Sequence, residues 1–382
     1  MYKIIFFAKN VSGGADAFLR QLHSIDPKRF KKIFCFFRRD LHTRYGKDRV
    51  LLSENYPQKD TLDISQLLVF ISNIQKTYSF IKSEQPHIIL TCDIYSYLTV
   101  CFLKLLAFRK IPFIALINNN VYLIHKQRQN FFYSKLIFTI MRLFSRTPEV
   151  FVFVSRDLAK VTIEKISLKP RRMKIIYHSL DITEVRKLLK EKITKSQKKL
   201  IGDKKELKIF SVGRLDPQKD FETLFKAYAI IQKKYKNSKL VILGDGILRK
   251  ELEGKALDLN IRSNIIFAGW QKNIYKYLKF ADLVIFSSHY EGFPISILES
   301  MACGVPVIAT DSPTGPREIL DNGKYGFLVK VGDYQKIASI VTKLLKSKSL
   351  RSRYKNSSLT RIKMFNTQKQ DYEKLFNGLV GD

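Results

Sequence analysis

Residues 282–320 read DLVIFSSHYEGFPISILESMACGVPVIATDSPTGPREIL. Asp282 to Ser288 is a short apolar run bounded by polar residues, the pattern of a strand buried on both faces. His289 to Gly292 is a polar loop. Pro294 suits the first position of a helix, where its missing N–H costs nothing. Ile297, Leu298, Met301 and Ala302 then fall on one helix face. Gly304 and Pro306 stop that helix, and Val305 to Ala309 is a second buried strand. Thr310 to Pro316 is a loop, and Arg317 to Leu320 opens another helix. Buried strands alternating with helices predict a parallel sheet covered on both sides.

In such sheets the loops at the carboxyl ends of the strands carry the ligands. The first amides of the helix, Ile295 and Ser296, lack intrahelical acceptors and form the positive end of its dipole, so an anion fits there. Glu291 sits just before that terminus, and Glu299 lies eight residues on. Phosphate at the amides and hydroxyls at the two carboxylates would grip one extended ligand. A second loop, Ser211 to Asp220 (SVGRLDPQKD), places Arg214 after a strand and Lys219 before a helix. A guanidinium fork and a lysine point charge together suit a diphosphate. Leu243-Gly244-Asp245-Gly246 follows the next strand and reads equally as a tight turn or as a base or ribose contact.

These motifs resemble the retaining glycosyltransferases of family 4, the group 1 glycosyltransferases. E-x7-E with G-F-P inside it, followed by MACGVPVIAT, carries the resemblance. So does Gly213-Arg214-Leu215 with Lys219, although Asp220 stands where that family usually has Gly. Gly13 and Gly14, after the first strand, resemble its G-G-A-E loop, here G-G-A-D. The resemblance is strongest over 207–330. It implies the GT-B fold: two Rossmann-like, doubly wound α/β domains facing across a cleft. It implies that Glu291 contacts the transferred sugar, Glu299 the ribose, and Arg214 and Lys219 the departing diphosphate. Gly213, Phe293, Pro294, Ile295 and Ser296 complete the donor pocket, and Gly13 and Gly14 face the diphosphate and acceptor. Many members carry a His at the end of the strand that Pro112 to Ile117 forms here; Asn118 or Asn119 stands there, and His125 is a surface histidine or a substitute for it. Thr314-Gly315-Pro316-Arg317-Glu318 resembles a segment of members that build bacterial surface glycans, which favours a UDP-sugar donor and adds Glu318 to the candidates.

The expected organisation is a first domain over 1–182, a lysine-rich linker with a solvated helix over 183–206, a second domain over 207–364, and a last helix over 365–382 that crosses back to the first. The chain has 382 residues and a formal net charge of +34, which favours anionic partners; a lysine-rich codon bias gives the same excess. Four scattered cysteines, Cys35, Cys92, Cys101 and Cys303, form no disulfide framework or zinc motif. No D-x-D triplet is present, so neither a metal nor another cofactor is expected. The opening run MYKIIFFAKN is too short for a signal peptide and reads as a strand. No long uncharged apolar run suggests a transmembrane helix. Residues 125–146 combine Phe132, Leu136, Ile140 and Leu143 with Lys126, Arg128, Lys135, Arg142 and Arg146. They form either a helix lying on an anionic membrane or one whose apolar stripe covers the sheet. The expected protein is a cytoplasmic glycosyltransferase, peripheral on the inner membrane face, using a nucleotide sugar and a glycan or lipid-linked acceptor, with no nucleic-acid partner. A same-fold epimerase or phosphorylase, and a non-enzymatic polyanion binder, are the alternatives.

Overall fold

A computed structural model describes residues 1–8, 22–23, 25–36, 49–51, 64–127, 131–199, 201 and 206–381. The chain divides into unit 1, Met1–Tyr177 with Thr367–Asp382, and unit 2, His178–Asn366.

Unit 1 holds strands β1 (Tyr2–Ala8), β2 (Phe30–Phe36), β3 (Arg49–Leu51), β4 (Ile88–Thr91), β5 (Phe113–Ile117), β6 (Val150–Phe153) and β7 (Met173–Ile175). They form one parallel sheet in the order β3-β2-β1-β4-β5-β6-β7. The inner strands β4, β5 and β6 are nearly continuous runs of Ile, Val, Leu and Phe, buried throughout, because both faces of the sheet are covered there. Helices Ile64–Glu84, Ile94–Leu106, Phe131–Leu143 and Arg156–Ile166 supply crossovers. Asp93 and Ser155 cap two of them, accepting from Ser96 N and Leu158 N. The terminal helix Gln368–Val380 belongs to this unit: Phe376 packs edge-on against Phe6 and Phe30 at 6.4 and 5.7 Å.

Unit 2 holds β8 (Leu207–Val212), β9 (Ser238–Leu243), β10 (Ile265–Phe267), β11 (Leu283–Phe286), β12 (Val307–Thr310) and β13 (Phe327–Val329). Its parallel sheet runs β10-β9-β8-β11-β12-β13. The strand order reverses between β8 and β11, whose registers place Leu283 opposite Ile209 and Val284 opposite Phe210. The loops after those two strands therefore emerge side by side, at the crevice where doubly wound sheets bind ligands.

Two points differ from the sequence reading. Residues 183–206 are not simply a solvated connection. Helix Ile182–Lys190 buries Val185 and lies against helix Tyr275–Leu278. Asn273 Nδ2 donates to Leu188 O at 3.0 Å, and Lys279 Nζ donates to the Leu189 and Glu191 carbonyls at 2.9 Å each. Side chains of unit 2 thus satisfy its carboxyl end, and the contact boundary falls at His178, ahead of it. The short strand β3 has no counterpart in the sequence reading. The last two helices are Lys348–Arg361 and Gln368–Val380, separated by a 3₁₀ turn at Ile362–Phe365.

Lys104, which interrupts the most apolar stretch of the chain, is buried. Its Nζ donates to Arg109 O at 3.0 Å, Ile111 O at 2.5 Å and Glu149 Oε1 at 3.0 Å. Glu149 Oε2 in turn accepts from Phe113 N at 2.6 Å, so one ion pair holds the turn into β5. Among the described residues, no helix is long and apolar enough to cross a membrane. Lys104→Met is expected to cost about 3 kcal/mol, read from urea unfolding, because it strands a carboxylate and two carbonyls. A loss below about 1 kcal/mol would show that water replaces the ammonium.

Candidate donor site

The loop after β8 and the loop after β11 are joined by an ion pair. Lys219 Nζ lies 2.6 Å from Glu291 Oε1, and both side chains are mostly shielded from solvent. Ser288 Oγ donates to the same Oε1 at 2.6 Å. Gln218 Nε2 donates to Tyr290 O at 2.8 Å and lies 3.4 Å from Glu291 Oε2. Thr314 Oγ1 donates to the Glu291 carbonyl, and Ser287 Oγ to the Lys219 carbonyl at 2.9 Å. The Glu291 carboxylate is thus fixed from the loop after β8 and from its own loop, and its backbone from the loop after β12.

Arg214 is the more open cation, its side chain 57% exposed and its guanidinium 2.8 Å from Asp216. Each cation of the sequence motif therefore rests on a carboxylate. A lysine has three N–H donors and an arginine five, so both retain donors for an anion.

Pro294 is the N-cap of helix Ile295–Ala302, with φ −70° and ψ 100°, rather than its first residue. Ile295 and Ser296 are then the first two helical residues, and among the described residues their amides have no acceptor. Ser296 and Glu299, three residues apart, are the half-exposed positions of an otherwise buried helix. Tyr275 OH donates to Glu299 Oε1 at 3.2 Å; burial and this carboxylate push the Tyr275 pKa up. Phe293 is buried, its ring 5.5 Å from Phe365 and 6.1 Å from His178. Gly315, at φ +91°, lies so close to this loop that a Cβ there would meet Pro294 Cδ at 2.6 Å. Glu318 follows on the half-buried start of the next helix, and its carbonyl accepts from Arg361 at 2.7 Å.

Two glycines of the sequence motifs sit back to back. A Cβ on Gly244 would stand 1.8 Å from Gly213 O, and Gly244 N donates to Gly269 O at 2.9 Å. The Gly244-Asp245-Gly246 turn thus has a packing role that requires glycine. Asp220, where the resembling family has Gly, adopts the left-handed conformation at φ +46° and also caps helix Phe221–Lys234, accepting from Thr223 N. Asp is among the few side chains that tolerate this conformation, so the loop keeps its shape.

The candidates of unit 1 are separate. Asn118 and Asn119 follow β5, and Asn119 Nδ2 donates to Asn118 Oδ1 at 3.2 Å. Asn120 caps helix Val121–Gln127 through Leu123 N. His125 is not a surface histidine: it is buried beside Tyr133 and Phe138, at ring distances of 5.8 and 5.9 Å. Gly13 and Gly14 lie outside the described residues.

Ser288, Gln218, Thr314, Tyr275 and His178 were not among the candidates the sequence offered. Ser288 lies three residues before Glu291, and Gln218 and Thr314 lie inside the quoted 211–220 and 314–318 segments, so each has a local signal. Tyr275 and His178 reach the site through tertiary folding and have none. Burial lowers the His178 pKa from 6.5 to about 4.

The profile for glycosyl transferases group 1 matches residues 192–361, and that for Glycosyltransferase Family 4 matches 33–184. The chain belongs to the group 1 glycosyltransferases and has the GT-B fold. Among similar proteins is the Campylobacter jejuni N-acetylgalactosamine-N,N'-diacetylbacillosaminyl-diphospho-undecaprenol 4-alpha-N-acetylgalactosaminyltransferase. It is 32% identical over 207 residues, which is 54% of this chain and 53% of that protein. An Escherichia coli UDP-Gal:alpha-D-GlcNAc-diphosphoundecaprenol alpha-1,3-galactosyltransferase is 25% identical over 62% of each chain. The matched stretches span between about half and two thirds of these relatives. Sucrose-phosphate synthase from Thermosynechococcus elongatus superposes with a TM-score of 0.83 at 16% identity, covering 99% of both chains. The Anabaena protein HepE in complex with UDP superposes with a TM-score of 0.76 at 18% identity, covering 98% of this chain and 99% of that one.

Two outcomes are expected from this geometry. Asp220→Ala, which keeps the strained φ but loses the cap, costs about 2 kcal/mol in denaturant unfolding, whereas Asp220→Gly stays within about 1 kcal/mol of the parent. Equal losses would mean that the left-handed φ carries no cost. The folded-state pKa of His178 lies below its unfolded value, so the unfolded chain takes up the proton first. Its contribution is constant above pH 6.5 and is lost as pH falls from 6.5 to 4, by up to about 3 kcal/mol. Unfolding free energies at pH 7 and pH 5 check this: the decline should be shallower in His178→Gln, and an unchanged decline would assign it to other groups.

Proposed function

We propose that this protein transfers a sugar, with retention at the anomeric carbon, from a UDP-sugar to a glycan or lipid-linked acceptor in bacterial cell-surface polysaccharide synthesis. The observation that carries the reading is the Lys219–Glu291 pair beside an unsatisfied helix N-terminus at the strand-order reversal of unit 2. The donor's diphosphate sits at the spare donors of Lys219 and Arg214 and at the Ile295 and Ser296 amides. Glu299, facing the same way as Ser296, takes the ribose hydroxyls, and Glu291 orients the sugar. The bond from the anomeric carbon to the β-phosphate oxygen breaks, the acceptor oxygen bonds that carbon on the same face, and the acceptor proton passes to the departing phosphate. The protein lowers the barrier by holding positive charge where negative charge develops and by alignment. That charge is supplied by side chains and amides, without a bridging metal in this reading. The UDP in the HepE complex and the UDP-Gal and diphospho-undecaprenol in the names of the relatives support the donor and acceptor classes.

Calorimetric titration tests the donor assignment. UDP is expected to bind more tightly than GDP, and Lys219→Ala and Glu299→Ala each to weaken UDP by about tenfold or more, the scale of a charge-assisted hydrogen bond. A folded protein that binds no UDP refutes the donor class. UDP affinity unchanged in both variants refutes the site.

A further inference from the structure

The short helix Tyr275–Leu278 of unit 2 is fastened on three sides, and its first side chain reaches the candidate donor site. Just before it, Asn273 is buried. Its Nδ2 donates to Leu188 O at 3.0 Å and to Glu191 Oε2 at 2.9 Å, and its Oδ1 accepts from Lys276 N at 3.2 Å. Just after it, Lys279 Nζ holds the Leu189 and Glu191 carbonyls. Between them the Tyr277 hydroxyl donates to Gln271 Oε1 at 2.8 Å, and Gln271 Nε2 donates to Ala268 O at 2.7 Å. The helix is thus tied at both ends to the carboxyl end of helix Ile182–Lys190, and in its middle to the loop after β10.

Tyr275 carries that rigidity to Glu299. Its residue is 9% exposed, and its hydroxyl donates to Glu299 Oε1 at 3.2 Å. Burial first, and then the Glu299 carboxylate, push the Tyr275 pKa up, so the phenol keeps its proton and remains a donor. Burial and the same carboxylate push up the thiol of Cys303, which closes the helix that carries Glu299. Glu299 itself is half-exposed. A glutamate on a helix surface turns about several side-chain bonds, and a ligand that needs one rotamer has to arrest the others. A phenol held by a fastened helix selects the rotamer before the ligand arrives. A hydrogen bond to an ionised acceptor is also among the stronger ones.

We propose that Tyr275 is a positioning residue that sets the Glu299 carboxylate for ribose hydroxyls, and so lets the site distinguish a nucleotide that has those hydroxyls from one that lacks them. This rests on the reading of Glu299 as the ribose ligand. It adds that a second element aims the carboxylate, and that helix Ile182–Lys190 holds that element through Asn273 and Lys279. Without the hydroxyl, Glu299 keeps its charge and loses its fixed aim. The loss then falls on ligands with ribose hydroxyls and spares those without.

The test is calorimetric titration of the full chain with UDP and with 2′,3′-dideoxy-UDP, which keeps the base and the diphosphate. The parent is expected to prefer UDP by about tenfold or more. Tyr275→Phe, which keeps the ring, should weaken UDP about fivefold and leave 2′,3′-dideoxy-UDP within about twofold. Glu299→Ala should remove the preference. Adding Tyr275→Phe to it should change UDP affinity no further, because the phenol acts through the carboxylate. Melting temperatures report that each variant is folded. Equal weakening of both ligands by Tyr275→Phe makes the hydroxyl a packing feature and overturns the proposal, as does an unchanged UDP affinity. A further loss of UDP on top of Glu299→Ala also overturns it, because Tyr275 would then touch the nucleotide itself. These three results leave the ribose assignment of Glu299 standing. A parent without the preference, or a Glu299→Ala variant that keeps it, removes that assignment and the role of Tyr275 with it.

Discussion

The contact between Lys219 and Glu291 is the constraint on which the candidate site depends. It spans two loops that follow adjacent parallel strands and that share one backbone hydrogen bond, His289 N donating to Gln218 O at 2.9 Å. Burying two charges costs several kcal/mol per ion before their attraction is counted, so such a pair persists only where further hydrogen bonds complete it. Here Ser288 and Gln218 supply them on the Glu291 carboxylate, and Ser287 holds the Lys219 carbonyl. Thr314 then ties the backbone of Glu291 to the loop after β12. One residue, through its carboxylate and its backbone, thereby links three strand-end loops, and the helix that begins at Ile295 starts where those loops leave it.

Backbone proximity imposes the second constraint. Gly213 and Gly244 end neighbouring strands, and the carbonyl of the first occupies the space where a Cβ of the second would be. The loop carrying Arg214 and Lys219 can lie low over the sheet because Gly244 carries no Cβ there. Gly246 does the same under Leu215, where a Cβ would stand 2.4 Å from the carbonyl. Asp220 then turns the chain through a left-handed residue and caps the next helix with its side chain. A residue that departs from the expected glycine thus meets the same conformational demand and adds a cap.

The sequence made unit 2 legible because its signals are local. The β11–β12 unit, its helix and the Arg214–Lys219 loop are contiguous motifs, and buried parallel strands read as plain apolar runs. What it did not show is tertiary. Nothing near Gln218 marks it as a partner of Glu291, and nothing in the lysine-rich run at 183–206 shows that Asn273 and Lys279 cap its helix. His125 read as a surface histidine or as a substitute for the family's His, and the ring is buried beside Tyr133 and Phe138. Helix 131–143 defeated periodicity for a different reason. It carries apolar residues on both sides, and spacing alone does not say which side the sheet takes.

The charge surplus is better understood by where cations are paired than by its size. At the candidate donor site each cation is neutralised locally and held in place, so its net field is small and its value lies in geometry. Preorganised donors of this kind reward a ligand of matching shape and add little long-range attraction. Arg146, Lys169 and Arg171 are the reverse: open, clustered and uncompensated among the described residues. Such a cluster attracts polyanions generally and is screened by salt. The surplus therefore does not argue for tighter nucleotide binding.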